Sequence, residues 1–184
     1  MIYVGVDPGV KGWIVCIDND AAIVGMHKIP MIEKEYDPVG VVSLIRGIEQ
    51  MSGTSISAFI EKVMPLPIGG AGMDKNNPEN KRFASAKERY KQGYCVGMFH
   101  AAFGGEGIPV QDIHPMTWRS KVLVGYGKGK GASVQYINKR YPELEIGKRP
   151  KYVQDNLADA ICLALYGRMY VYGLEKATSQ GGKK

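Results

Sequence analysis

Two runs rich in β-branched and aromatic residues open the chain. Ile2 to Val6 and Gly12 to Ile17 are separated only by the short link D-P-G-V-K-G, a pattern that predicts an antiparallel hairpin. A third run, about Ala22 to Ile29, predicts that the meander continues. The period then changes: Val41, Leu44, Ile45 and Ile48 recur at helical spacing between Val39 and about Met51. The stretch SAFIEKV, Ser57 to Val63, returns to strand character and, like the first run, carries a single acid at its end, Glu61. Between Met64 and Asn80, Pro65, Pro67, Gly69, Gly70, Gly72 and Pro78 break every regular pattern and predict a long loop.

Helical character resumes from Lys81 to Ala102, interrupted by Gly93, and IPVQDI predicts one more strand. HPMTWRSKVLVGYG predicts a helix entered through Pro115, a residue suited to a first helical turn. The glycine-lysine stretch GYGKGKGAS leads to a helix at about Ala132 to Arg140, and a last helix is predicted from about Val153 to Val171. The terminal TSQGGKK predicts a disordered tail over 173–184. The order β-β-β-α-β-α-β-α-α-α joins an antiparallel meander to crossover units. It predicts an α/β fold: a mixed five-stranded sheet, antiparallel in its first three strands and parallel in the other two, with helices on both faces.

A length of 184 residues suits one full-sized domain, placed at 1–172, and no internal repeat divides it. No segment approaches the roughly 18 uninterrupted apolar residues of a membrane span, and the short apolar start runs straight into Asp7 and Pro8, so neither a membrane partner nor a leader is expected. Cys16, Cys95 and Cys162 lie far apart in apolar contexts, which predicts buried thiols in an intracellular, reducing compartment: the cytoplasm of a bacterial or phage-infected cell, or an organelle. The net charge of +6 is unevenly spread. From Arg119 to Lys151 the chain carries Arg119, Lys121, Lys128, Lys130, Lys139, Arg140, Lys148, Arg149 and Lys151 against only Glu143 and Glu145. Such a half is a solvated basic surface or a seat for a polyanion.

Four acids give that choice a direction. Asp7 ends the first strand, Glu61 ends the strand after the first helix, and Asp155 and Asp159 stand four apart at the start of the last helix, on one face. Leu157, Ala160, Ile161, Ala164 and Leu165 cover most of that helix, so its acids are expected to face the sheet. Carboxylates gathered away from water are costly unless cations neutralise them, and an all-oxygen set selects Mg²⁺ or Mn²⁺. Two such ions about 4 Å apart are suited to phosphodiester hydrolysis. Singly, each acid has a plainer account: D-P-G is a common turn, Glu61 can be an exposed strand end, and Asp155 can serve a helix start. Asp159, flanked by Ala158, Ala160 and Ile161, is the hardest to explain without burial.

VGVDPGVKGWIV, FIEKV, HPMTWRSKVLVGYGKGK and DNLADAICLALYG stand in the order and at roughly the separations seen in RuvC-type Holliday-junction resolvases of the ribonuclease H-like superfamily. The chain resembles that family from about Met1 to Gly167, most closely its phage and organellar branches. The resemblance implies a ribonuclease H-like fold, a homodimer, and paired incisions in a four-way DNA junction that depend on two Mg²⁺ per site. Carried over by position, Asp7, Glu61 and Asp159 match the family's catalytic, metal-holding acids. For the fourth ligand, the bacterial pattern has an acid or histidine where this chain has Asn156; Asp155, one residue earlier, is the preferred candidate and Asn156 the other. The expected DNA contacts are Arg119, Lys121, Lys128, Lys130, Lys148, Arg149 and Lys151. Met64, Phe83 and Tyr90 are conceivable junction wedges, each with a core position as its plainer account.

Three other functions compete. A D-x-G strand end also begins sugar kinases and actin-like ATPases, but those require a duplicated domain and a second phosphate loop that this length and pattern lack, so no nucleotide cofactor is expected. A non-catalytic junction-binding protein would have no need of all four acids. Other ribonuclease H-like nucleases, acting on RNA–DNA hybrids or on linear or branched DNA, share the same chemistry.

Overall fold

Strand β1 (Ile2–Asp7) alternates its side chains between two faces of a sheet, and both faces are dry. The computed structural model describes residues 1–63, 86–127, 129, 131–171 and 173, with backbone alone at 86–89 and 171. Strands β2 (Trp13–Ile17) and β3 (Ile23–Lys28) continue the meander antiparallel to β1, in the register Val6↔Ile14 and Val15↔Met26. A small separate hairpin, β4 (Met31–Ile32) and β5 (Glu35–Tyr36), precedes helix α1 (Pro38–Ser52). Strand β6 (Ile56–Glu61) then lies parallel to β1, pairing Val6 with Ile60. Helix α2 (Ala86–Gly105) leads to β7 (Val110–Ile113), which is parallel to β6. Helices α3 (Pro115–Val122), α4 (Ala132–Arg140) and α5 (Lys151–Tyr166) follow, with two short 3₁₀ turns before α5 and a π-helical turn over Gly167–Val171 after it.

The main sheet has the order β3-β2-β1-β6-β7, mixed and five-stranded. Its last two members are the sixth and seventh strands of the chain, because β4 and β5 pair only with each other. That hairpin escapes a sequence-based reading for a physical reason. Its turn holds Glu33 and Lys34 at φ 49° and 68°, a conformation ordinarily announced by Asn-Gly or Gly-Gly.

Period-two alternation separates two cores. Val4, Val6, Ile14, Cys16, Ala58 and Ile60 face α1 and α2, meeting Val41 and Ile45 from one helix and Cys95, Phe99 and Phe103 from the other. Tyr3, Val15, Ile17 and Phe59 face the opposite way, against Leu157, Ile161, Ala164 and Leu165 of α5. Helix α5 packs on β1 and β2 and is itself covered by α3 and α4, so it is apolar nearly all round; from Leu157 to Leu165 every residue except Asp159 is fully buried. Gly5 permits the close approach of α5: a Cβ there would collide with the Ala160 carbonyl.

The three cysteines are buried free thiols. No helix among the described residues is long and apolar enough to cross a membrane. Tyr90 is exposed on α2 and stacks on Tyr94 at 6.3 Å between ring centroids, so the core position considered for it does not hold. Met64, Phe83, the long loop before α2 and, apart from Gly173, the proposed tail lie outside the described residues.

Candidate active site

Two parallel strands deliver the first two acids. The register that pairs Val6 with Ile60 brings Asp7 and Glu61 to the same ends of neighbouring strands, whose axes lie about 4.8 Å apart. Both acids have the parity of Tyr3 and Phe59, so both project toward α5. There Asp159 looks back from the helix, held to the sheet by the apolar residues around it. The link after Asp7 is shaped for this meeting: a Cβ at Gly12 would strike the Asp7 carbonyl, and Asn156 on α5 donates its side-chain amide to the Lys11 carbonyl at 2.9 Å.

The three carboxylates feel one another. Burial, then the charges of Glu61 and Asp159, push the Asp7 carboxyl well above the usual carboxylate range, with Arg119 opposing. Burial and the Asp159 charge raise Glu61, against a lowering hydrogen bond from Trp118 and the charge of Arg119. Burial also raises Asp159; Ser133 and Arg119 pull it down, and Asp155 adds a smaller upward push. Helix α3 supplies the compensation. The buried Trp118 donates Nε1–H to Glu61 Oε2 at 3.0 Å, and the Arg119 guanidinium donates to Asp159 Oδ2 at 2.6 Å. Asp159 Oδ1, also buried, makes no hydrogen bond among the described residues. Among the described residues no group of three or more Asp, Glu, His or Cys side chains stands close enough to hold an ion.

Asp155 stands one turn before Asp159, more exposed, and accepts from Lys151 Nζ at 3.0 Å. Asn156 is committed to Lys11, as above. Among the basic residues, Arg119 is turned inward onto Asp159, Lys148 is paired with Glu145 at 2.6 Å, Lys151 with Asp155, and exposed Lys121 lies 5.8 Å from the Tyr170 ring centroid. Arg149 ends the second 3₁₀ turn, and Lys128 and Lys130 lie outside the described residues. Trp118, Ser133 and Lys11 belong to the neighbourhood of the acids although their sequence context singled out none of them. The only signal was the adjacency of an indole and a guanidinium in T-W-R-S on a short helix. Lys11 Nζ also sits 4.4 Å over the ring of exposed Tyr152, forming a cationic, aromatic ledge at the start of α5.

The donor set suits hard divalent cations: three carboxylates from separate segments, an unbonded buried oxygen on Asp159, and no sulfur or imidazole among them. No protein-family model and no curated protein matches the chain. The architecture is α/β with a mixed five-stranded sheet, consistent with the ribonuclease H-like fold. The fold is similar to that of RuvC of Thermus thermophilus. The structure of that protein in complex with a Holliday junction substrate superposes with a TM-score of 0.59 at 16% identity, covering 92% of this chain and 96% of the other. A second Thermus thermophilus RuvC structure gives 0.58 at 18% identity with the same coverage. At these identities the likeness is one of fold.

Proposed function

We propose that the protein is a structure-selective DNA endonuclease that resolves four-way junctions by metal-dependent phosphodiester hydrolysis, working as a twofold homodimer. The observation that carries this is the meeting of Asp7, Glu61 and Asp159 on one side of the sheet, where burial and then the charges of Glu61 and Asp159 raise Asp7, in a chain with a fold similar to that of RuvC. The relative solved with a Holliday junction favours the junction over other nucleic acids as substrate. The likeness to phage and organellar branches rests on the four sequence segments alone.

Asp7, Glu61 and Asp159 would hold two Mg²⁺, or Mn²⁺, with Asp155 at the rim as the fourth ligand. Cations held there supply Lewis acidity for activating water and for stabilising a departing oxygen. Asp7 is the acid that feels the charges of both Glu61 and Asp159. Lys121, Lys148, Arg149 and Lys151, with Lys128 and Lys130 of the glycine-lysine loop, would track the DNA phosphates, which set position and affinity. Arg119, held on Asp159, is a basic residue in direct contact with the acids.

The test compares a synthetic four-way junction, an RNA–DNA hybrid and a linear duplex as substrates, each with Mg²⁺ and with EDTA. Two symmetric incisions in the junction, only with Mg²⁺, are expected. Preferred cutting of the hybrid would reassign the substrate while keeping the chemistry; junction binding with no cutting of any substrate would make the protein a non-catalytic binder.

A further inference from the structure

Helix α3 places a positive charge where a cation is wanted. The Arg119 guanidinium meets Asp159 Oδ2 at 2.6 Å, with the arginine side chain one-third exposed and that of the aspartate 16% exposed. The neighbouring residue, Trp118, holds Glu61 by the indole N–H, and the guanidinium carbon of Arg119 lies 4.8 Å from the Trp118 ring centroid. Two successive residues of one eight-residue helix thus occupy two of the three carboxylates. Asp159 Oδ1 is buried without a well-formed hydrogen bond among the described residues, with Ser133 the hydroxyl donor beside this carboxylate. Beside Arg119 opens a cavity of about 300 Å³, lined also by Met116, Ser120, Leu123 and Val124.

We propose that Arg119 is a built-in competitor for the cation at Asp159: it neutralises the carboxylate while the site is empty and must turn into the adjoining cavity before Asp159 can take a metal ion. This deepens the proposed function and rests on Asp159 being a metal ligand. An exchange of this kind keeps the acid cluster from repelling itself apart in the metal-free protein. It also weakens the apparent affinity for metal, because each ion bound displaces a charge-assisted hydrogen bond. Arg119 here is a positioning residue, acting through Asp159. Its exposure and its cavity separate it from Trp118, which is fully buried and part of the core.

The experiment is titration with Mn²⁺, read by the electron paramagnetic resonance of the free ion, on the full-length protein without DNA. Wild type, Arg119→Gln, Arg119→Lys and Lys121→Gln are compared. Arg119→Gln is expected to bind Mn²⁺ about tenfold more tightly than wild type, the order of one charge-assisted hydrogen bond. Arg119→Lys should fall between them, and Lys121→Gln, which removes an equal charge from the same helix without touching Asp159, should stay close to wild type. In thermal unfolding, Arg119→Gln should melt below wild type in EDTA and gain more from saturating Mn²⁺. Should Arg119→Gln not fold, a tightening in Arg119→Lys that is absent from Lys121→Gln carries the same inference. Equal affinity in wild type and the Arg119 variants, or equal tightening in Lys121→Gln, overturns the competition. Absence of Mn²⁺ binding in wild type and variants alike overturns the metal site itself and the competition with it.

Discussion

Trp118 and Arg119 are neighbours in sequence, yet they serve two different carboxylates, one by an indole N–H and one by a guanidinium. Their help does not make the acid cluster comfortable. A carboxyl raised above its ordinary range binds, in the folded state, a proton that the unfolded chain has already released. Its contribution to stability is therefore lost as pH climbs from the ordinary carboxylate range toward the raised value. Asp7, raised most clearly, should act this way in metal-free protein. Asp7→Asn is expected to unfold at a higher temperature than wild type in EDTA at pH 7, with the gap shrinking as pH falls toward 4. Thermal unfolding of both proteins across that range checks it; a gap that is absent or widens toward acid would show that Asp7 is not held against its neighbours' charge. Saturating Mg²⁺ should close the gap at pH 7 by stabilising wild type alone.

At this same scale the sequence is informative about the acids and silent about their partners. Asp159 is legible because a lone charge inside Ala158–Asp159–Ala160–Ile161 has no solvent to turn to. Arg119 is one of many bases between α3 and α5, and no period distinguishes a guanidinium turned inward from one left in water. The structure finds its partner on a helix forty residues away in the chain.

Among the elements, the alternation of β1 and the helical period of α5 are strong signals, and Ile2–Asp7 and Lys151–Tyr166 stand close to where the pattern puts them. Helix α5 begins two residues earlier than its apolar face suggests, because Lys151 and Tyr152 are polar or exposed and leave no trace in that face. Its end is harder to read: the apolar pattern runs on through Val171, while the backbone widens into a π-helical turn at Gly167, where a Cβ would collide with the Phe59 ring. The spacing between β1 and α5 sets the distance from Asp7 to Asp159, and Gly5 sets that spacing. Gly5→Ala is therefore expected to destabilise the protein by about 1–3 kcal/mol, the usual cost of overpacking, and to reduce cleavage beyond what unfolding explains. Urea unfolding and activity measured on the folded fraction test it; a stable, fully active variant would mean that the helix can retreat without moving the acids.

Over the whole molecule, charge is divided by region. The strands contribute Asp7 and Glu61 and α5 contributes Asp155 and Asp159, whereas the stretch from α3 to the start of α5 is strongly basic. Junction affinity should thus fall steeply with salt, and replacing exposed Lys121 by Ala should lower the slope of log affinity against log salt by about 1 while weakening junction and duplex binding alike. An unchanged slope would remove that residue from the DNA contact. The fold class was readable from element order because a meander followed by crossover units leaves few ways to build one sheet. The β4–β5 hairpin was not, since Glu33 and Lys34 adopt a turn their chemistry does not advertise.

The most direct measurement is single-turnover cleavage of a four-way junction by wild type and by Asp7→Asn, at matched and saturating protein, with Mg²⁺ and with EDTA. Wild type with Mg²⁺ should nick opposite strands, while EDTA or the single substitution should abolish cutting and leave the junction bound. Cutting by Asp7→Asn at the wild-type rate, or cutting that persists in EDTA, would contradict an active centre built on that carboxylate and a divalent ion.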